Sequence, residues 1–484
     1  MNALIEAAER SRRGRLRTFV SGPESEPVRL FDRSRRCSPG DWFGEHAGKW
    51  LIAASLAATR AQDDELAARV VSVADWLCDQ QDSNGYLGTY DPGSPARFDR
   101  MRAQGERTWD LWNAACTMLG LTVASQQLGR TRWLDAAHGI ASLIHVEIFD
   151  RGMDPVLLGN HAGLSSCAIL EPLARLASLG STRAAQTATW IVDRLEGAEA
   201  IRLVSAPLEG VDAARIGTGK IYQLCWVYHG LALLSESTGD SRMLRAAERF
   251  WANVAEHHLT PLGGPWGGIA THKEVFNPQG YFNPCGLVET CSSLAWLRLS
   301  LELDRLTGGQ DGACPSKYRR AAEVTAMNQL LGAAFPNGLD WSYFSMPNGP
   351  RSVAYDWACC KSSGAWGLEE AARLLTPDTD MAGDVQVLRA AEHLAHHEHD
   401  VFHREFFALQ RGATVYAMEP LDGFQFEATI RLPVLFPGSY VHVDGDRLVV
   451  TAPGHEPIWF TPYRDAGLQR PDRWRITWVP VVWQ

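Results

Sequence analysis

Four long apolar segments of this sequence end on a glycine: LWNAACTMLGLTVASQQLG at Gly129, SSCAILEPLARLASLG at Gly180, YQLCWVYHGLALLSESTG at Gly239 and VETCSSLAWLRLSLELDRLTG at Gly308. Inside each, apolar residues recur mostly three and four positions apart, the spacing of one helix face. A glycine just past the last periodic residue is where a left-handed cap closes a helix. A second helical pattern follows each glycine: TRWLDAAHGIASLI, TRAAQTATWIVDRL, SRMLRAAERFWANVAEHHL and SKYRRAAEVTAMNQLLGAAF. The chain thus repeats a helical hairpin with variable loops, the glycines lying 51, 59 and 69 residues apart. A first hairpin over 49–81 and a last one near 362–376 bring the number to about six. Six hairpins can close into an (α/α)6 barrel, a toroid whose inner helices surround a funnel, or stay an open solenoid. Closure is expected, because the hairpins are long and irregular and carry no polar capping repeats.

From about 401 the pattern changes to short alternating segments separated by Gly and Pro: EFFALQ, ATVYAM, FEATIRL, YVHVDG, RLVVTA, PIWFTPY and RITWVPVVW. The expected fold is mainly α with a smaller β part. Residues 1–40 form an N-terminal extension packing on the barrel, 41–400 the (α/α)6 barrel, and 401–484 a small antiparallel β domain. The loops between hairpins, such as NGYLGTYDPG (84–93) and PLGGPWGGIATHKEVFNPQGYFNPCG (261–286), are rich in Gly and aromatic residues. Loops of that size in a compact domain usually carry function.

Composition narrows the classes. Hydrophobic residues are 45% and charged residues 21% of 484, values of an ordinary globular chain. No apolar run approaches the roughly 18 residues of a membrane span. A net charge of −10 argues against nucleic acid or an anionic membrane as partner. The first twenty residues lack an apolar core and carry Glu6 and Glu9, so they read as neither a secretory signal nor a transit peptide. Ten cysteines in such a chain are expected as buried thiols, ligands or nucleophiles rather than disulfides. A cytoplasmic location follows as an expectation, with a homodimer as a possible assembly.

Glu289-Thr290-Cys291 and the adjacent pair Cys359-Cys360 carry the sharpest chemistry. On a helix, positions i and i+2 point about 200° apart, whereas in extended backbone they share a side. Glu289 and Cys291 can therefore chelate one ion only if they precede a helix beginning near Ser292. One carboxylate and three thiolates suit a tetrahedral zinc ion. The spacing matches no zinc-finger pattern, and the plain reading of any one cysteine is a small core residue.

An ordered series of segments resembles the β-L-arabinofuranosidase family of glycoside hydrolases, family 127: GEHAGKWLIAASLA (44–57), QQDSNGYLGTY (80–90), WDLWN (109–113), HAGLSSCAILEPL (161–173), GTGKIY (217–222), HKEVF (272–276), ETC (289–291), WSYF (341–344), ACC (358–360), LQRGATVYAMEP (409–420) and FTPYRDAG (460–467). The resemblance implies an (α/α)6 barrel with appended β structure and a zinc–thiolate site. By it, Glu289, Cys291, Cys359 and Cys360 match the zinc ligands, Cys359 the nucleophile and Glu274 the general acid/base. Glu45, Lys49, His161, Lys220, His272 and Tyr343 lie in matched segments, where each is a candidate to bond a sugar hydroxyl; the plain reading of each is a loop cap or satisfied polar residue. For Lys49 that alternative is an outward-facing helix residue.

The chain also departs from the family. Many relatives carry a histidine shortly after the WDxW segment, where this sequence has Ala114 and Ala115. They also place a long β-sandwich before the LQRG strand, where only residues 361–409 intervene here and read as largely helical. GTGK (217–220) is not a phosphate loop, since Ala214 and Ile221 stand where that motif needs Gly and Ser or Thr. The cluster His393, His396, His397 and His399 reads as a solvated helix end. Cys78, Cys116, Cys167 and Cys225 fall on apolar helix faces and read as core.

The function expected from the whole is a zinc-dependent retaining glycosidase with a cysteine nucleophile, acting on a small furanoside, with a β-L-arabinofuranoside or related pentose glycoside first. The alternatives are an enzyme processing the sugar of a secondary metabolite and a non-catalytic sugar-binding toroid with structural zinc.

Overall fold

The computed structural model describes residues 2–372, apart from 39, 102–106, 261–262, 269–271, 280–286, 309, 312–313 and 346–352, together with seven strands between 405 and 478. Twelve helices of eight or more residues occur among the described residues: α1 (Asn2–Arg13), α2 (Glu45–Ala61), α3 (Asp64–Asp79), α4 (Asp110–Leu128), α5 (Thr131–Ile144), α6 (Leu170–Ser178), α7 (Thr182–Gly197), α8 (Ile221–Thr238), α9 (Ser241–His257), α10 (Thr290–Leu306), α11 (Lys317–Val324) and α12 (Cys359–Ala372).

Six of them form a closed inner ring. α2 packs on α4, α4 on α6, α6 on α8, α8 on α10, α10 on α12, and α12 returns to α2. The open-solenoid alternative is thereby excluded. Sequence character separates the layers. In α4 the run from Asp110 to Thr122 is buried throughout, as expected of a helix with neighbours on several sides. In α3 the buried residues are Leu66, Val70, Val73, Ala74 and Leu77, a single stripe typical of an outer helix. Inner helices approach closely where glycines face each other. A Cβ on Gly48 would lie 2.1 Å from the Cys116 carbonyl oxygen, and one on Gly120 would lie 2.6 Å from that of Gly48.

The four glycines do cap their helices. Gly129 and Gly239 are C-caps at φ +69° and +73°. Gly180 and Gly308 lie one position beyond the cap, at φ +96° and +91°. Two segments expected as single helices are interrupted. Pro172 has no N–H to offer the carbonyl four residues back, and a short turn Leu164–Cys167 stands apart from α6. α11 gives way to a π turn at Thr325–Leu330.

The sixth hairpin differs more. Its inner helix is α12, the chain directly after Ala372 lies outside the described residues, and α1, from the other end of the chain, packs against α12. α1 buries Leu4, Ala7 and Ala8. Arg60 of α2 holds the junction, its Nε 2.7 Å from Glu369 Oε2 of α12 and its Nη1 2.8 Å from Glu9 Oε1 of α1.

A two-residue antiparallel pair, β1 (Val288–Glu289) with β2 (Phe344–Ser345), lies just before α10. Beyond the ring, β3 (Glu405–Ala408), β4 (Thr414–Leu421), β5 (Gln425–Arg431) and β9 (Trp474–Trp478) form one sheet, and β6 (Tyr440–Asp444), β7 (Arg447–Thr451) and β8 (Ile458–Phe460) another. The expectation of a wholly antiparallel β part is corrected at one edge, where β9 runs parallel to β5. The three-stranded sheet lies in the connection between these two strands, long enough for the crossover that parallel pairing requires. The His393 cluster lies outside the described residues.

Candidate active site

The β1–β2 pair sets the first half of the site. Glu289 pairs with Phe344, and the Thr290 N–H donates to the Tyr343 carbonyl at 3.1 Å. Glu289 is the N-cap of α10, extended at φ −75° and ψ 135°, so the helix starts at Thr290 rather than near Ser292 as expected. Glu289 and Cys291 still converge. The helical i, i+2 divergence applies only when both residues are helical, and Glu289 is not. The second half is the start of α12, which opens with Cys359 and Cys360.

The four ligand atoms of Glu289, Cys291, Cys359 and Cys360 all lie within 4.8 Å of one another. Cys291 Sγ is 3.4 Å from Cys360 Sγ, which in turn is 4.0 Å from Glu289 Oε1. Ser292 Oγ donates to Glu289 Oε2 at 2.8 Å, and Cys291 Sγ donates to Ser363 Oγ at 3.2 Å. Glu289, Cys291 and Cys360 are buried, whereas Cys359 is half-buried. The cluster thus has one accessible sulfur.

Its electrostatics are those of crowded acids. Burial, and then the charge of Glu274, push Glu289 up to about 8 against the pull of Lys220. Burial likewise raises the Cys291 and Cys360 thiols. Cys359 goes the other way, well below an ordinary thiol, because the neighbouring Cys291 and Cys360 thiols favour its charged form and Lys49 lies near. The N-terminus of α12 adds a partial positive charge at the same sulfur. Four acidic groups held this close in a buried place need a compensating cation. Three soft sulfurs and one carboxylate fit a four-coordinate divalent metal ion.

Glu274 stands across from the thiols. The HKEVF segment pairs with GTGK: the Ile221 N–H donates to the Glu274 carbonyl at 3.2 Å, and the Phe276 N–H to the Gly219 carbonyl at 2.9 Å. Gly219, at φ +70°, lets the chain turn into α8. Lys220, its buried N-cap, forms a close ion pair with Glu274 and lies 3.6 Å from Glu289 Oε2. Tyr343 links the two halves. Its hydroxyl donates to Glu274 Oε1 at 2.7 Å and lies 3.7 Å from Cys359 Sγ.

The remaining candidates gather around this centre. His272 Nδ1 lies 3.9 Å from Glu274 Oε2, and its ring meets that of His161 at 4.7 Å. His161 has φ +57°, and burial, then Lys220, push its imidazole down to about 3, so it is neutral. Glu45, on the first turn of α2, accepts from Trp112 Nε1 at 2.5 Å and pairs with Lys49 at 3.0 Å. Lys49 is fully buried, not outward-facing, and lies over the Tyr222 ring at 5.2 Å. Trp112, Tyr222, Ser292 and Ser363 were not singled out in the sequence. The first two sit inside matched segments but on helices whose apolar character reads as core. Cys116, Cys167 and Cys225 are indeed buried core thiols; Cys78 is half-buried.

A helical toroid whose inner face carries a buried thiol–carboxylate cluster opposite a second carboxylate defines the class to be sought among known proteins. The family profile described as "Beta-L-arabinofuranosidase, GH127 catalytic domain" matches residues 23–373. The chain belongs to that family and is a glycoside hydrolase. Among solved structures it is similar to a GH127 β-arabinofuranosidase at TM-score 0.62 and 17% identity, covering 90% of this chain and 68% of that one. It is equally similar to a GH127 β-L-arabinofuranosidase from Geobacillus stearothermophilus T6, at TM-score 0.62 and 17% identity, covering 91% and 75%. At these identities the likeness speaks for the fold. No curated protein sequence matches the chain. Among the described residues no helix is long and apolar enough to cross a membrane.

Proposed function

We propose that the protein is a zinc-dependent retaining glycosidase that hydrolyses a small furanoside, first a β-L-arabinofuranoside or related pentose glycoside. Cys359 is the nucleophile and Glu274 the general acid/base. The observation that carries this reading is the position of Tyr343 between the two. Legs of 2.7 and 3.7 Å from its hydroxyl bound the separation of Glu274 Oε1 and Cys359 Sγ at about 6.4 Å. Retaining enzymes hold their two groups about 5–5.5 Å apart, and inverting ones about 6.5–9.5 Å apart to admit a water.

Glu289, Cys291, Cys359 and Cys360 would hold the zinc ion, which when bound supplies positive charge that keeps the thiols deprotonated. The Cys359 thiolate attacks the anomeric carbon while Glu274 protonates the departing oxygen. A water, deprotonated by the same Glu274, then displaces sulfur from the sugar. Lys220 and Tyr343 hold the Glu274 side chain in place, as the acid of the first step and as the carboxylate base of the second. Glu45, His161 and His272 bind sugar hydroxyls.

Elemental analysis of purified protein should find about one zinc per chain. On aryl β-L-arabinofuranosides, Cys359→Ser should lower kcat by about 10³-fold or more and abolish trapping of a sugar on that residue in mass spectra. Glu274→Gln should slow turnover and be partly rescued by an activated leaving group. An active wild type that is indifferent to both changes would show the roles to be misassigned.

A further inference from the structure

Aromatic rings lie beside Glu274. Trp42 is among the exposed large apolar side chains, at 36%. It meets Trp109 edge-on, centroids 5.9 Å apart. Trp109 meets His161 at 6.5 Å, His161 meets His272 at 4.7 Å, and His272 reaches to 3.9 Å from Glu274 Oε2. Four rings thus run in file beside this carboxylate, from Trp42 to a His272 that is itself exposed and lies next to one of its oxygens. The other oxygen faces Tyr343, and through it Cys359.

Both indoles stand on rigid helix starts. Trp42 lies in the turn entering α2, where its carbonyl accepts from the Glu45 N–H at 3.1 Å. Trp109 is the N-cap of α4, and its N–H donates to Tyr90 Oη at 3.2 Å. Asn113 Nδ2 donates to the Asp41 carbonyl at 3.2 Å and ties the two starts together. A pair of indoles held this way is preorganised to receive a flat ligand.

We infer that Trp42 and Trp109 form a subsite for the leaving group, taking an aglycone that carries a ring, either a second sugar or a planar aromatic alcohol. The inference rests on the reading of Glu274 as the acid. That carboxyl must touch the leaving oxygen, so the leaving group lies along the side of Glu274 away from the thiols, where Oε2 is bordered by the Lys220 ammonium and by the ring file through His272. Indole faces suit the C–H face of a sugar and the face of an aromatic ring alike.

The test compares kcat/KM of the metal-loaded enzyme on three glycosides of the same sugar: methyl, 4-nitrophenyl, and one whose aglycone is a second pentose. Trp42→Ala should lower kcat/KM for the ring-bearing substrates about fivefold more than for the methyl glycoside, chiefly through KM. Trp42→Phe should recover part of that difference. A larger loss on the disaccharide identifies a sugar aglycone, and a larger loss on the nitrophenyl glycoside a flat aromatic one. Equal losses on all three overturn the subsite. If Trp42→Ala does not fold, Trp42→Phe and Trp109→Phe decide, and an unchanged ring-to-methyl ratio in both overturns it. A wild type that hydrolyses none of the three defeats the glycosidase reading instead. Calorimetric titration with the methyl and 4-nitrophenyl glycosides then tests the subsite alone. Tighter binding of the aryl compound that Trp42→Ala erases supports it, and equal binding of the two by wild type overturns it.

Discussion

At Glu171 burial and charge oppose each other. The residue is fully buried in α6, which by itself would raise its pKa. Arg298 of α10 donates from Nη1 to Oε2 at 3.0 Å and makes a second, closer contact through Nη2. Arg298, with His229 and Arg175 behind it, overrides burial and holds Glu171 down to about 2. The folded pKa is below the ordinary glutamate value of roughly 4.3, so this pair stabilises the protein above that pH and the contribution is lost as pH falls toward 2. Glu171→Ala takes away the close partner of buried Arg298, leaving only Glu370 at 4.0 Å, and should cost about 3 kcal/mol near neutral pH. Denaturant unfolding across pH 2–7 should show that cost and a shallower acid slope in the variant. The same interplay explains what was legible at single positions. ETC and CC could be matched through the family resemblance, but spacing alone could not unite residues 69 and 71 positions apart. The surroundings of Tyr222 and Trp112 are not legible in the sequence, because a polar tip on an apolar helix looks like core until its neighbours are known.

Elements were more readable than contacts. Helix-period patterns closed by Gly129, Gly180, Gly239 and Gly308 corresponded to real helix ends, because a positive φ at the cap is a local requirement that glycine meets cheaply. The break before α6 was equally local, and Pro172 could have announced it. The α2–α4 crossing was not readable, since nothing in GEHAGKW says that Gly48 meets Cys116 on another helix. Its consequence is testable. Gly48→Ala would put a methyl 2.1 Å from a backbone carbonyl that no side-chain rotation can clear. The helices must part, at a cost of about 1–3 kcal/mol or more, read as a lowered urea midpoint. The site would feel it as well, because Glu45 and Lys49 flank that glycine on α2.

The helical part of the molecule is a ring with a cluster of acids buried in it, and two consequences belong to that scale. Protons compete with a metal ion for Glu289 and the three cysteines, so the proposed zinc should be lost as pH falls and regained as it rises. Stripping it with a chelator near neutral pH should lower the melting temperature by about 5–10 °C, and zinc should restore it; an unchanged melting curve after verified removal would count against a bound ion at the thiols. Ring closure and an N-terminal extension packed on the barrel could be expected, but the seat of α1 on α12 could not, because it is more than 340 residues away. That distance shapes how the chain is made. At synthesis rates of about 5–20 residues per second, α1 emerges on the order of tens of seconds before α12 exists to receive it. Throughout that interval Leu4, Ala7 and Ala8 lack the cover that α12 supplies, and only the adjoining turn and α2 are there to shelter them, so the apolar stripe of α1 stays partly bare until translation nears its end.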